Sequence, residues 1–167
     1  LVDRVMEGAA IPAGQLMPEG FFGYVPGLKP EPFDPDGARR LLAEAGYPEG
    51  FALTLHGPNN RYVNDDQILQ AVAQMFSRIG VQTRVEALPF SVYISRAQKL
   101  EFSMGLLGWG VSTGEASYPL RSLVATYNRE KGWGTFNPGR YSNRRVDELL
   151  DAREVDDGVE ALLDLLA

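Results

Sequence analysis

The stretch from Phe51 to Leu88 constrains the fold more than any other. Residues 51–55 alternate Phe51, Leu53 and Leu55 against Ala52 and Thr54, the period of a strand. Ile68, Leu69, Val72, Met75, Phe76 and Ile79 then recur at helical spacing until Gly80 ends the run. Residues 81–88 return to alternation, with Val81, Thr83, Val85 and Ala87 against Gln82, Arg84 and Glu86. Strand, helix of about four turns, strand is a βαβ unit, which predicts parallel strands and a right-handed crossover. A second amphipathic helix follows over 89–100, bearing Val92, Tyr93, Ile94 and Ala97, and then a strand over 102–107. The repeated pattern predicts an α/β domain with a mixed, mostly parallel sheet flanked by helices.

The flanks are read the same way. Residues 2–6 predict the end of a short helix stopped by Gly8. Residues 9–32 hold Pro12, Pro18, Pro26, Pro30 and Pro32, so they predict an ordered connector with no regular element. Leu16, Met17, Phe21, Phe22, Tyr24, Val25 and Leu28 make that connector too apolar for a flexible linker. Asp34 and Pro35 mark a helix start, Leu41, Leu42 and Ala45 its buried face, and Gly46 its left-handed cap. Asn64 with Gln67 predicts a capping box for the helix of the βαβ unit, and capping also accounts for the Asn64-Asp65-Asp66 cluster. Beyond Ala116 the pattern predicts a short helix over 119–125, a loop over 127–141 and a helix from Ser142 or Asn143.

Composition removes several function classes. With no cysteine and a single histidine, His56, a disulfide framework, thiol catalysis and the usual zinc sites are excluded, and neither metal nor cofactor is expected. No apolar stretch approaches the roughly 20 residues needed to cross a bilayer. The 16 Lys and Arg against 22 Asp and Glu leave a net charge of −6. Residues 145–167, with two basic and eight acidic side chains, account for all of it. An acidic helical tail over 143–167 is therefore expected, and no basic stripe marks a nucleic-acid binder.

In open α/β sheets ligands bind beyond the carboxyl ends of the strands. Two polar, glycine-bearing loops lie there by order, 57–64 and 108–115. In the first, Arg61, beside Tyr62, is either a holder of a carboxylate through parallel hydrogen bonds or a solvated surface arginine. In the second, Trp109 is either a ligand platform or a core plug. Ser112 and Thr113 offer hydroxyls, and Glu115 could receive an ammonium. Gly108, Gly110 and Gly114 give G-x-G-x-x-x-G, one residue longer than the dinucleotide fingerprint, so nucleotide binding is dismissed. Two rival functions stay open. One is a hydrolase or transferase pairing His56 with a serine, although no G-x-S-x-G is present. The other is an interaction domain docking through the aromatic-rich segment 16–28.

Four stretches, FDPDGARRLLAEAGYPEGFALTL (33–55), FSRIGVQTRVEAL (76–88), GWGVSTGEASYPL (108–120) and GRYSNRRVDELLDA (139–152), occur in an order that resembles a known family. It is the peptide/nickel-binding family (family 5) of extracytoplasmic solute-binding proteins of ABC importers. The resemblance implies a type II periplasmic-binding-protein-like lobe over 1–167, cut from the second lobe of a two-lobed protein. It implies a non-enzymatic, monomeric binder of a peptide-like or other small polar solute, held between this lobe and the other. An ABC permease partner and a periplasmic or cell-surface location follow, with the membrane met only through the permease or a lipid anchor outside this segment. The residues expected to meet the solute are Arg61, Tyr62, Trp109, Ser112, Thr113 and Glu115, and the resemblance implies a carboxylate-binding arginine within about two positions of Arg61 in dipeptide-binding members. Peptide-binding members carry an aspartate where Ser112 stands, whereas the S-T-G-E-A run resembles members whose substrates include glutathione. Tyr141 and Asn143 belong to the family-like Y-S-N segment, where packing and capping or binding the solute are equally open readings.

Overall fold

The structure, a computed structural model, describes residues 1–151. The expected tail extends beyond them, and its residues 152–167 lie outside the described residues. The elements are α1 (Pro35–Glu44), β1 (Phe51–Pro58), α2 (Asp65–Ser77), β2 (Val81–Leu88), α3 (Phe90–Gln98), β3 (Met104–Gly105), α4 (Ser117–Leu123) and α5 (Arg144–Asp151). By internal contacts the chain groups into two compact units. The first is Leu1–Pro12 with Pro32–Gly108; the second is Ala13–Glu31 with the chain from Trp109 on.

The first unit carries a three-stranded sheet of order β2-β1-β3, parallel in both pairings. α2 connects β1 to β2, as the βαβ pattern predicts, and the register runs from Phe51 opposite Val81 to Pro58 opposite Leu88. β1 departs from expectation twice. It continues to Pro58 instead of ending at Leu55, and its exposure does not alternate. Its first residues are open, while Leu55, His56, Gly57 and Pro58 are all buried. β3 is only two residues long rather than spanning 102–107 and pairs only with Leu55 and His56, so the first residues of β1 lie on an open edge. Packing over the faces buries the far half: the His56 ring stacks on Phe102. Gly57 lies under α2, where an added Cβ would stand 2.6 Å from Leu69 Cδ1.

α1 begins as predicted, with Asp34 accepting the Gly37 N–H at 2.8 Å and Pro35 in the first turn. It ends on Gly46 at φ +89°. Its expected buried face is not formed: Leu41 is 66% exposed, Ala45 is exposed, and Leu42 is only partly covered. Residues 1–7 form hydrogen-bonded turns in place of a helix end, with Glu7 and Gly8 both at positive φ.

The second unit has a core of Met17, Ala116, Leu120, Ala125, Val146 and Leu150. Within the connector 9–32, Met17 is fully buried, and Phe21, Tyr24, Val25 and Leu28 pack around it. Gln15 ties the segment to Val25 through both its amide nitrogen and its amide oxygen, each at 2.9 Å. Most apolar residues of 16–28 are thus spent on this core. Of the connector's large apolar side chains, Leu16 and Phe22 stay about half-exposed and Ile11 is 91% exposed. The short helix predicted over 119–125 runs earlier, as α4. α5 starts after Asn143, whose Oδ1 accepts the Arg145 N–H at 2.9 Å, while Tyr141 Oη accepts from Asn143 Nδ2. Asn143 thus caps α5, with Tyr141 bonded to it.

Candidate functional site

With β1 running to Pro58, the first candidate loop shortens to residues 59–64, between β1 and α2. Asp65, the first residue of α2, organises it. Its Oδ2 accepts the backbone N–H of Arg61 at 2.9 Å and of Tyr62 at 3.0 Å, and its Oδ1 accepts that of Asp66 at 3.0 Å. Burial works against the charged carboxylate, but these backbone hydrogen bonds outweigh it and hold the Asp65 carboxyl below the usual aspartate range. The expected capping box does not form. Asn64 sits in the left-handed region at φ +54°, makes no cap bond, and turns its Nδ2 to the Val5 carbonyl at 2.7 Å.

Arg61 is exposed, and its guanidinium lies over two rings, 5.2 Å from the centre of Phe90 and 5.6 Å from that of Tyr62. It makes no ion pair among the described residues. Phe90 is fixed by its own N–H, which donates to Asn60 Oδ1 at 2.8 Å. The Tyr62 hydroxyl donates to the Gly108 carbonyl at 3.3 Å. A guanidinium resting on aromatic faces keeps its N–H groups available, and such an edge matches a carboxylate.

The other candidate residues lie in the second unit. Trp109 is half-buried against Tyr118, 5.5 Å between ring centres, and Phe136, at 5.0 Å. Its Nε1 is buried without a hydrogen-bond partner. Ser112 is exposed. The Thr113 hydroxyl donates to Glu115 Oε1 at 3.2 Å, and the Ser117 N–H donates to Glu115 Oε2 at 2.7 Å. Burial opposes the Glu115 carboxylate, yet hydrogen bonds from Ser117, Thr113 and Tyr118 keep its carboxyl below the ordinary glutamate range. Glu115 is thus an anion in place, with both oxygens already accepting bonds. The structure brings Arg61 together with Tyr62, and Thr113 together with Glu115. Sequence reasoning missed Asp65 as loop organiser, together with Phe90, Tyr118 and Phe136. Only Asp65 gave a signal, as an acidic residue beside the loop.

His56 does not offer the serine pairing that a hydrolase would need. It is buried, its Nε2 faces Glu86 Oε2 at 3.2 Å, and its ring stacks on Phe102 at 4.1 Å. Its Nδ1 has no hydrogen-bond partner, and no serine is bonded to it among the described residues. A cavity of about 720 Å³ lies against β1 and β2, lined by Thr54, His56, Gln82, Arg84, Glu101 and Ser103 among others, and none of the expected ligand residues lines it. Among the described residues no group of three or more acidic or histidine side chains could hold a metal ion.

Residues 1–131 match the model of the bacterial extracellular solute-binding proteins, family 5, middle region. The chain belongs to this family. It is 36% identical over 160 residues to the glutathione-binding protein GsiB of Escherichia coli K12, covering 90% of this chain and 30% of that protein. The Salmonella typhimurium protein of the same name is 36% identical over 162 residues, covering 91% and 30%. The chain thus spans about 30% of the length of these curated relatives. Among solved structures it resembles the Helicobacter pylori periplasmic binding protein DppA in complex with the peptide STSA, at TM-score 0.84 and 21% identity, covering 99% of this chain and 33% of that one. NikZ of Campylobacter jejuni in complex with Ni(L-His) gives 0.77 and 19%, covering 99% and 36%. The fold is that of type II periplasmic binding proteins, here with a purely parallel sheet among the described residues.

Proposed function

We propose that this chain is a ligand-binding lobe of an ABC importer's substrate-binding protein, capturing a peptide-like or other small polar solute outside the cytoplasm for delivery to its permease. It works as a monomer and without catalysis. Arg61, Tyr62, Trp109, Ser112, Thr113 and Glu115 are its solute-contacting residues. The observation that carries this reading is Arg61: an exposed guanidinium laid over Phe90 and Tyr62 with no acidic partner among the described residues. A cation held in that way lacks the counter-charge that a ligand carboxylate supplies. Membership in a family of solute-binding proteins supports the same reading, as does the 36% identity to glutathione-binding relatives.

Titration calorimetry of the full-length protein with reduced glutathione and with short peptides tests this. Arg61→Ala and Glu115→Ala are each expected to weaken binding by about tenfold or more, the scale of a lost charged hydrogen-bond pair. Unchanged affinity in both variants removes these residues from the site.

A further inference from the structure

Two backbone N–H groups of the 60–62 loop converge on one side chain, Asp65. Asp65 could act as an ordinary first-turn acid, and its Oδ1 bond to the Asp66 N–H is of that kind. Its other oxygen points out of the helix and accepts both the Arg61 and the Tyr62 N–H. The carboxylate is only 3% exposed, so it is committed to these donors rather than to water. One position earlier, Asn60 Oδ1 holds the N–H of Phe90, whose ring underlies the Arg61 guanidinium. The loop backbone and the ring that supports the cation are therefore fixed independently, by two different side chains.

We propose that Asp65 is a positioning residue for Arg61: by clamping the 61 and 62 amides it holds the guanidinium on Phe90, ready for a ligand carboxylate. The gain is preorganisation. An arginine side chain has about 2 kcal/mol of rotamer entropy to lose when it is ordered. Ordering it before the ligand arrives removes part of that cost from binding. The inference rests on the assignment of Arg61 to the solute site, and the test separates the two.

The experiment uses the full-length protein with reduced glutathione and tetra-alanine, each as the free acid and as the C-terminal amide. Affinities come from calorimetry and folding from thermal melts. The unmodified protein is expected to prefer at least one acid over its amide by about tenfold, one charge-assisted pair. Arg61→Ala should abolish that preference. Asp65→Asn and Asp65→Ser should each reduce it to within about twofold while the amide still binds, and Phe90→Leu should do the same with Asp65 intact, whereas Phe90→Tyr should preserve it. A preference that vanishes in Arg61→Ala but survives in both Asp65 variants overturns the positioning role and leaves Arg61 standing. Survival in Arg61→Ala, or no preference in the unmodified protein, removes the carboxylate-binding role itself. Failure of both Asp65 variants to fold assigns Asp65 to the fold alone and also overturns the proposal.

Discussion

Tyr62 occupies the space where a side chain at position 108 would be: an added Cβ on Gly108 would stand 2.7 Å from Tyr62 Cε1. The Tyr62 hydroxyl closes the contact by donating to the Gly108 carbonyl. Glycine is needed there for the approach of a ring from its own unit. Gly108→Ala should therefore push Tyr62 off its seat and cost about 1–3 kcal/mol, as overpacking does. Urea titration of the variant checks it. A midpoint equal to that of the unmodified protein would show that the ring moves freely, and that Gly108 does not position it.

Asp65 makes stability depend on acid pH with a definite sign. Its pKa is lowered in the folded state, because the N–H groups of Arg61, Tyr62 and Asp66 outweigh the effect of burial. A depressed carboxylate stabilises the fold fully above its ordinary unfolded value of 3.8, and loses that contribution as pH falls through the lower folded value. Asp65→Asn should cost about 2 kcal/mol at neutral pH, the scale of hydrogen bonds to a charged acceptor, and the deficit should shrink toward the acid end. Unfolding midpoints measured from neutral pH down into the acid range check it. A deficit that stays constant with pH refutes the assignment.

Local chemistry made part of this molecule readable in advance. Asp34, Pro35 and Gly46 delimit α1 because caps act within a turn or two, and residues 81–88 mark β2 by alternation alone. The burial of β1 departs from its alternation because its far half is covered by residues distant in sequence, Leu69 of α2 over Gly57 and Phe102 on His56. The candidate site shows the same division. Arg61 and Glu115 stand out as charges in glycine-bearing loops. The ring beneath Arg61 comes from Phe90 on the far side of a βαβ unit, and no spacing rule joins positions 61 and 90. Asn64, the better capping residue by type, is turned away by its bond to Val5, and Asp65 organises the loop in its place.

His56 is held by structure rather than poised for chemistry. Phe102 carries the imidazole on its face and lies 5.0 Å from the Arg96 guanidinium, which pairs with Glu86 at 2.6 Å and with Glu101 at 2.8 Å. The bond from Arg96 keeps the Glu86 carboxyl below the ordinary glutamate range. His56→Ala should lose about 3 kcal/mol as a buried ring is deleted, with solute affinity unchanged. Thermal melts and calorimetry on the same preparation check both. Full stability combined with lost binding reverses the assignment.

α1 and α3 end in the same way, with different residues at the left-handed position. After α1, the Tyr47 N–H reaches the Leu42 carbonyl and the Gly46 N–H reaches that of Ala43. After α3, the Glu101 N–H reaches Arg96 and the Leu100 N–H reaches Ala97, the same pair of bonds one for one. Gly46 adopts φ +89° without strain, but Leu100 adopts φ +60° with a Cβ crowding the following carbonyl. Leu100 is 44% exposed, so only part of its side chain is buried to offset that strain. Leu100→Gly should therefore stabilise the protein by about 1 kcal/mol, the usual left-handed penalty less the greater chain entropy of glycine. Gly46→Leu should destabilise it by a similar amount. Paired urea titrations check both signs. A Leu100→Gly variant less stable than its parent would mean that the leucine side chain contributes more through its contacts than its backbone loses to strain.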